Sequence, residues 1–338
     1  MDVDPLFIRN PDPNMTGDDP LFVVNPKYLQ PANVSQVHQP MPMYYEQTER
    51  PLPPPQQTAP SSMYALPGQP MLNRGTPQTD WMSSMPDEAP LAAFSIPGTH
   101  NSLALAGGPS VQSQTWDVAK QLKSGIRYLD VNLCLNGNEI VSRGDPQSPS
   151  TSIHELMAAV TGFLTEHSRE AVLIRITDAC SGGLNFYIRL HQTLNEFYAK
   201  FVLPLQIQNP KMGMARGKIV IMKDYYGGPP GGLEYNSLDK TEAMTLASPD
   251  EKDLKPLTKE MKRHMKKVMS CGDFEKMFLT MTSASGPGFT FQYAAAINEV
   301  LSFFLHKNPK GRLGIVAMDF PPEHVINDII ARNFKRSK

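Results

Sequence analysis

The chain has 338 residues, with 32 Lys and Arg against 33 Asp and Glu, so bulk charge cannot hold it to nucleic acid. Its three cysteines are too few for a disulfide framework, and their spacing matches no zinc site. The N-terminus has no apolar signal segment and no apolar run is long enough to cross a bilayer, so the sequence predicts a soluble, cytoplasmic protein.

Residues 1–80 form a proline-rich tail that holds half of the 32 prolines. Proline fixes φ and removes backbone donors, and the tail has too few apolar residues to offset chain entropy. We therefore expect residues 1–80 to be disordered and residues 81–338 to form the globular domain. Residues 51–55 read Pro-Leu-Pro-Pro-Pro, which is typical of a polyproline II linker.

The tail contains a doubled motif, because residues 4–11 and 19–26 share the pattern D-P-L-F-x-x-N-P. Two apolar pairs held between prolines suit a linear motif that docks in the groove of a protein partner, doubled for avidity. A drifted duplication without a partner explains the repeat equally well. One hypothesis is accordingly an adaptor that acts through the tail, with the globular domain as its mount.

From residue 81 the pattern changes to short apolar runs separated by helical stretches. A helix begins at residues 152–155, with capping oxygens offered by residues 150–152, and another covers residues 293–306. Asn136-Gly137 predicts the turn of a hairpin. The predicted strands are at 94–96, 128–135, 171–176, 219–222, 278–282 and 313–318. This alternation over about 250 residues is the size of a β/α barrel, with a doubly wound sheet as the alternative.

Polar side chains follow nearly every predicted strand at its C-terminal end, where a β/α barrel places its site. Any one of them could be an ordinary loop residue, but the whole set indicates a polar pocket. The set includes His100, Asn101, Asp130, Asn132, Thr177, Asp178, Lys223, Asp224, Ser283, Ser285 and Asp319.

Two blocks carry a specific resemblance: S-I-P-G-T-H at 95–100 and G-I-R-Y-L-D at 125–130. With further matches in the same order, they make residues 81–335 resemble the X domain of phosphatidylinositol-specific phospholipase C, in its single-domain, bacterial-type branch. The resemblance implies an α/β fold, a distorted and incompletely closed TIM-type barrel. It also implies a phosphoric diester hydrolase of lipid metabolism that takes inositol phospholipid or inositol phosphate.

The resemblance assigns three catalytic positions. His100 corresponds to the base that removes the proton of the inositol 2-hydroxyl, and Asp319 to the acidic residue that orients this base. Asp130 corresponds to the carboxylate that helps to set up the site. These three residues predict that the first proton transfer of the family's reaction is retained.

The remaining positions depart from the family pattern. Arg143 stands where a histidine should protonate the leaving oxygen, and a guanidinium releases no proton near neutral pH. Asn132 replaces the bacterial arginine and Thr177 replaces a lysine or glutamate, which leaves Arg143 and Lys223 as expected anion contacts. The sequence favours a pseudoenzyme that still binds inositol lipid. A competent but slow phosphodiesterase is the alternative.

Calcium is the cofactor of the eukaryotic branch, and Asn101, Asp130 and Asn132 are the candidate ligands here. Only Asp130 carries a charge, and calcium selects anionic oxygen ligands. We therefore expect no metal and no other cofactor.

Residues 257–270 form a basic amphipathic segment, with methionines on one helical face and lysines over the rest. Such a helix suits an anionic membrane surface. An ordinary surface helix that packs its methionines on the barrel is the favoured interpretation.

Overall fold

The computed structural model describes residues 78–108, 110–143, 150–204, 207–228 and 233–334, together with two short strands near the N-terminus. The chain divides into two units, Met1–Pro67 and Gly68–Lys338. In the first unit, β1 (Phe7–Arg9) pairs with β2 (Phe22–Val24) in antiparallel register. The central residues of the two copies of the repeated motif, 7–9 and 22–24, thus pair with each other. The other tail predictions, including the polyproline segment at 51–55, lie outside the described residues.

The second unit is built on one large sheet. Its strands are β3 (Ile96–Thr99), β4 (Tyr128–Asn136), β5 (Glu139–Ser142), β6 (Val172–Asp178), β7 (Ile219–Asp224), β8 (Leu233–Glu234), β9 (Asp239–Lys240), β11 (Phe278–Met281) and β13 (Ile315–Met318), with β10 (Met244–Thr245) and β12 (Ala284–Ser285) as a separate parallel pair. Across the sheet the order is β8-β7-β6-β4-β3-β13-β11-β9, and every one of these neighbours is parallel. No pairing between the described residues of β8 and β9 closes the ring. The predicted incompletely closed α/β barrel is confirmed.

Helices cover the outside of this sheet. They are α1 (Val118–Lys123), α2 (Ile153–Glu166), α3 (Gly183–Phe197), α4 (Met212–Ala215), α5 (Glu251–Ser270), α6 (Thr290–Lys307) and α7 (Glu323–Ala331). Ser152 caps α2 through a capping box with Glu155, as the predicted start of this helix requires. Among the described helices, none combines the length and the apolar character that a bilayer crossing needs.

The hairpin that joins β4 to β5 closes one residue later than predicted. Asn136 pairs with Glu139, so the turn residues are Gly137 and Asn138 instead of Asn136 and Gly137. Gly137 has φ of 58°, a conformation that glycine adopts without steric cost.

A buried ion pair ties the N-terminal 3-10 helix, Gln78–Ser84, to the barrel. Arg127 and Glu170 both have fully buried side chains, with Arg127 Nε 2.9 Å from Glu170 Oε2. Arg127 also donates to the carbonyl of Thr79, and the backbone N–H of Met82 donates to Glu170. The predicted boundary at residue 80 falls inside this 3-10 helix, whose first residues contact the barrel.

Two cysteines form a bond that the sequence analysis did not predict. Cys134 in β4 is linked to Cys180, in the loop after β6, by a disulfide with a Cα–Cα distance of 5.1 Å. β4 and β6 are adjacent strands, and the pairing of Leu133 with Asp178 brings the two cysteines together. Three cysteines are few for a framework, but they suffice for this single cross-link.

Candidate active site

Strand register places four polar residues in one row across the C-terminal ends of four adjacent strands. Met318 pairs with Thr99, and Thr99 with Leu129, so the residues that follow, Asp319, His100 and Asp130, lie side by side. Asp130 pairs directly with Arg175 on β6. The predicted residues His100, Asp130 and Asp319 are thus brought together.

His100 and Asp319 form a hydrogen-bonded pair at the end of this row. The imidazole Nδ1 lies 2.8 Å from Asp319 Oδ1, which leaves the other ring nitrogen, Nε2, for a substrate. Burial lowers the pKa of His100, but the negative charge of Asp319 and its hydrogen bond outweigh burial and raise the pKa above the ordinary value. This arrangement is that of an oriented general base.

The backbone around His100 is held by close packing and by buried hydrogen bonds. Gly98 lies against Tyr128, and a Cβ at Gly98 would come within 2.6 Å of that ring. Gln114 Nε2 donates to the carbonyl of His100 at 2.7 Å. The residue after each member of the pair, Asn101 and Phe320, has positive φ, of 44° and 43°. Such strained turns are typical of functional sites.

Arg175 links Asp130 to Asp224 in the interior of the barrel. Its Nη1 lies 3.2 Å from both carboxylate oxygens of Asp130, and its Nη2 lies 2.6 Å from Asp224 Oδ2. The guanidinium stacks on the ring of Tyr235, 3.7 Å from its centroid. Burial raises the pKa of Asp130, but both of its oxygens accept from Arg175, so we regard this residue as ionised.

A second row lies one residue pair further along the strands. Asn132 pairs with Thr177, and Thr177 with Asp224. Thr177 Oγ1 donates to Asp224 Oδ2 at 3.3 Å, while Asn132 Nδ2 donates to Asn101 Oδ1. The predicted residues Asn132 and Thr177 therefore lie beside the first row, but both are bonded within the protein.

Arg143 lies at the rim of the site, next to Asn132. Its backbone N–H donates to the Asn132 carbonyl at 2.8 Å, and its exposed side chain donates to the Ala179 carbonyl at 3.4 Å. The rest of its block, Gly144 to Pro146, falls within 144–149, outside the described residues. The residue that the resemblance assigns to the position of the acid is therefore an exposed guanidinium whose described contacts are two backbone groups.

A cavity of about 520 Å³ opens beside these rows. Its lining residues are Asp178, Ser181, Gly183, Lys223, Asp224, Tyr225, Tyr226, Glu234 and Asn236. The predicted anion contact, Lys223, has its Nζ 3.3 Å from Glu234 Oε1. Carboxylates, an amide and tyrosines suit a polyhydroxylated ring, because hydroxyl groups both donate and accept.

Comparison with known proteins identifies the family. The model of the phosphatidylinositol-specific phospholipase C X domain matches residues 88–225. The chain is 30% identical over 276 residues to a 1-phosphatidylinositol phosphodiesterase of Listeria monocytogenes, covering 75% of this chain and 84% of that protein. The chain belongs to the phosphatidylinositol-specific phospholipase C family.

Other members of the family share its sequence more distantly and its fold closely. A 1-phosphatidylinositol phosphodiesterase of Staphylococcus aureus is 21% identical, over 75% of this chain and 94% of the relative. The solved phospholipase C of Listeria monocytogenes superposes with a TM-score of 0.66 at 26% identity, covering 77% of this chain and all of that structure. A Staphylococcus aureus structure gives a TM-score of 0.63 at 17% identity, over 76% and 98% of the two chains, and supports the fold alone.

The residues at the calcium positions of the eukaryotic branch of this family do not fit calcium. Asn101 accepts from Asn132, so these two amides bond to each other. Both oxygens of the only charged candidate, Asp130, accept from Arg175. A guanidinium therefore occupies the carboxylate that a calcium ion would need.

Sequence reasoning missed several members of this site, among them Arg175, Glu234 and the Tyr235 ring that stacks on Arg175. Arg175 lies inside an apolar predicted strand, and Glu234 lies in a two-residue strand beyond a glycine-rich stretch. The available signal for Arg175 was its charge, because a charged residue in a strand covered on both faces needs a buried partner.

The His100–Asp319 pair predicts a titration shift. Because Asp319 raises the pKa of His100 above 6.5, Asp319→Asn should lower the midpoint at which this imidazole loses its proton. The measurement is an NMR titration of His100 in the wild type and the variant. Asp328→Asn, a carboxylate on α7 outside the site, is the matched control and should leave the midpoint unchanged. Equal midpoints in wild type and Asp319→Asn would contradict the pairing.

Proposed function

We propose that this chain binds inositol phospholipid in the barrel and cleaves it far more slowly than competent members of its family. The observation that carries the proposal is the contrast between the two proton-transfer positions. His100 is an oriented base paired to Asp319, whereas Arg143 stands at the position of the acid. The names of the relatives, 1-phosphatidylinositol phosphodiesterases, support inositol lipid as the ligand.

The chemistry explains the expected impairment. His100 Nε2 would take the proton of the inositol 2-hydroxyl, whose oxygen then attacks phosphorus to form a cyclic phosphate. The diacylglycerol oxygen leaves and needs a proton, which Arg143 cannot give. Among the described residues of the two rows, Asp130 and Asp224 pair with Arg175, and Asp319 pairs with His100. Each serves as an anion, so water is left as the proton donor.

The experiment compares the full chain with the Listeria monocytogenes relative on phosphatidylinositol vesicles, in calcium and in chelator. We expect comparable vesicle binding, cleavage slower by about two to four orders of magnitude, and no effect of calcium. A rate equal to that of the relative would overturn the proposed impairment. Absence of binding to phosphatidylinositol would overturn the function itself.

Helix α5 is the candidate contact with an anionic membrane surface. Its methionine face is buried, as Met261 and Met265 show, so only its charged face is free. Among the described residues, Lys259, Lys262 and Lys266 have no acidic partner. We propose that these lysines add electrostatic attraction to the lipid surface.

Replacing these three lysines by glutamine tests this role of α5. We expect sedimentation with phosphatidylserine-containing vesicles to weaken by roughly 100-fold in partition coefficient. Replacing Lys123, Lys307 and Lys310, which are exposed outside α5, is the matched control: Lys123 and Lys307 end α1 and α6, and Lys310 lies in the loop after α6. Equal binding by both triple variants would show that α5 is an ordinary surface helix.

A further inference from the structure

A phosphodiester bound in this site needs a positive partner, and the positions that the family uses do not supply one. Asn132 and Thr177 are neutral and are bonded to neighbouring side chains. Lys223 is paired with Glu234, and Arg143 is an exposed side chain at the rim. These four residues therefore provide no free positive charge inside the site for a phosphate group.

We propose that Arg175 makes the phosphate contact, in place of the arginine expected at position 132 and of calcium. The proposal rests on the proposed function, since it requires an inositol phosphate group in this site. Arg175 stands in the same row as the base, separated from His100 by Asp130 alone. Its charge thus comes from β6, the strand next to the one that carries Asn132.

The hydrogen bonds of Arg175 leave donors free for a ligand. A guanidinium has five N–H groups. Nε and one N–H of Nη2 reach Asp224 Oδ2, at 3.1 and 2.6 Å, and one N–H of Nη1 is shared between the oxygens of Asp130. One N–H remains on each terminal nitrogen, and neither has a further acceptor within the described part of the chain. Two such groups suit the bidentate recognition of a phosphate.

The neighbours of Arg175 fix where these donors point. The Tyr235 ring stacks on the guanidinium plane, and the two carboxylates hold its opposite edges. Burial lowers the pKa of Arg175, but the charge of Asp130 and the hydrogen bond to Asp224 outweigh burial and raise this pKa, so the group is a cation. Because the carboxylates also offset its charge, the contact depends on directed hydrogen bonds more than on net attraction.

Binding of two soluble probes to the full chain tests the contact. We expect Arg175→Lys, which keeps the charge but loses the planar fork, to weaken inositol 1-phosphate roughly 10- to 100-fold. Affinity for myo-inositol, which has no phosphate, should stay within about twofold. Arg169→Lys, in the exposed turn before β6, is the matched control and should change neither. Calorimetry gives both affinities.

The outcomes separate this proposal from the proposed function. If Arg175→Lys weakens both probes equally, Arg175 only shapes the barrel and the proposal is overturned. If the wild type binds neither probe, the proposed function is overturned, and with it the Arg175 contact that rests on it.

A second measurement needs no variant. In the wild type, the Arg175 guanidinium N–H signals should shift and exchange more slowly with inositol 1-phosphate, but not with myo-inositol. Signals unchanged by a bound inositol 1-phosphate would also overturn the proposal.

Discussion

Replacing Arg143 by histidine is expected to raise the rate of phosphatidylinositol cleavage by about two to four orders of magnitude, because it supplies the missing proton donor. The Arg143 backbone donates to Asn132, beside the row that holds His100, and this is the position that the resemblance assigns to the acid. The assay measures cyclic inositol phosphate released from phosphatidylinositol vesicles. If Arg175 already contacts the phosphate, this single substitution completes the set of groups that the reaction needs.

Two variants control this gain of activity. Arg169→His introduces the same imidazole at an exposed position before β6 and should leave the rate unchanged. Adding His100→Asn to Arg143→His should abolish the gain, because the base is then absent. A folded Arg143→His variant that cleaves no faster than wild type would show that the family's acid position does not correspond to Arg143.

Breaking the buried pair between Arg127 and Glu170 should be the most destabilising change in the barrel. Both side chains are fully buried, and Glu170 Oε1 has no hydrogen-bond partner within the described residues. Arg127→Met would leave the Glu170 carboxylate without its cation, at a cost of about 3–5 kcal/mol. This corresponds to a fall of roughly 10 °C in the midpoint of thermal unfolding.

Calorimetry of matched variants separates burial of charge from loss of packing. Arg169→Met removes an exposed arginine, 58% accessible, and should change the free energy of unfolding by less than about 0.5 kcal/mol. The double variant Arg127→Met with Glu170→Met should recover part of the lost stability, since no unpaired charge remains although the Thr79 carbonyl and the Met82 N–H lose their partners. A double variant as unstable as Arg127→Met alone would contradict this account.

The fold could be predicted because its signals are local. Each predicted apolar run overlaps a strand of the barrel, since strands covered on both faces must be apolar throughout. Arg127 in the G-I-R-Y-L-D block illustrates what such a motif does not show. The sequence identifies the block, but only the structure shows that this arginine, one residue before β4, forms a buried ion pair with Glu170.

The site could be predicted only in part because side-chain pairing is not local. His100, Asp130 and Asp319 follow from strand-end position and from motifs. Arg175 and its contacts with Asp130 and Asp224 depend on which strands are neighbours and in what register. The disulfide was missed for the same reason, since Cys134 and Cys180 meet only through the pairing of β4 with β6.

The disulfide between Cys134 and Cys180 has a consequence for the cellular compartment in which the protein acts. It links β4 to the loop after β6, where Ser181 and the last strand residue, Asp178, line the cavity, so it constrains one wall of that cavity. Glutathione keeps cytosolic thiols reduced, so a disulfide at this position argues against the predicted cytoplasmic location. Counting the reactive thiols of protein from its native source distinguishes the two locations. If Cys271 alone reacts, the disulfide is formed and the compartment is oxidising. If all three cysteines react, the cavity wall lacks this cross-link.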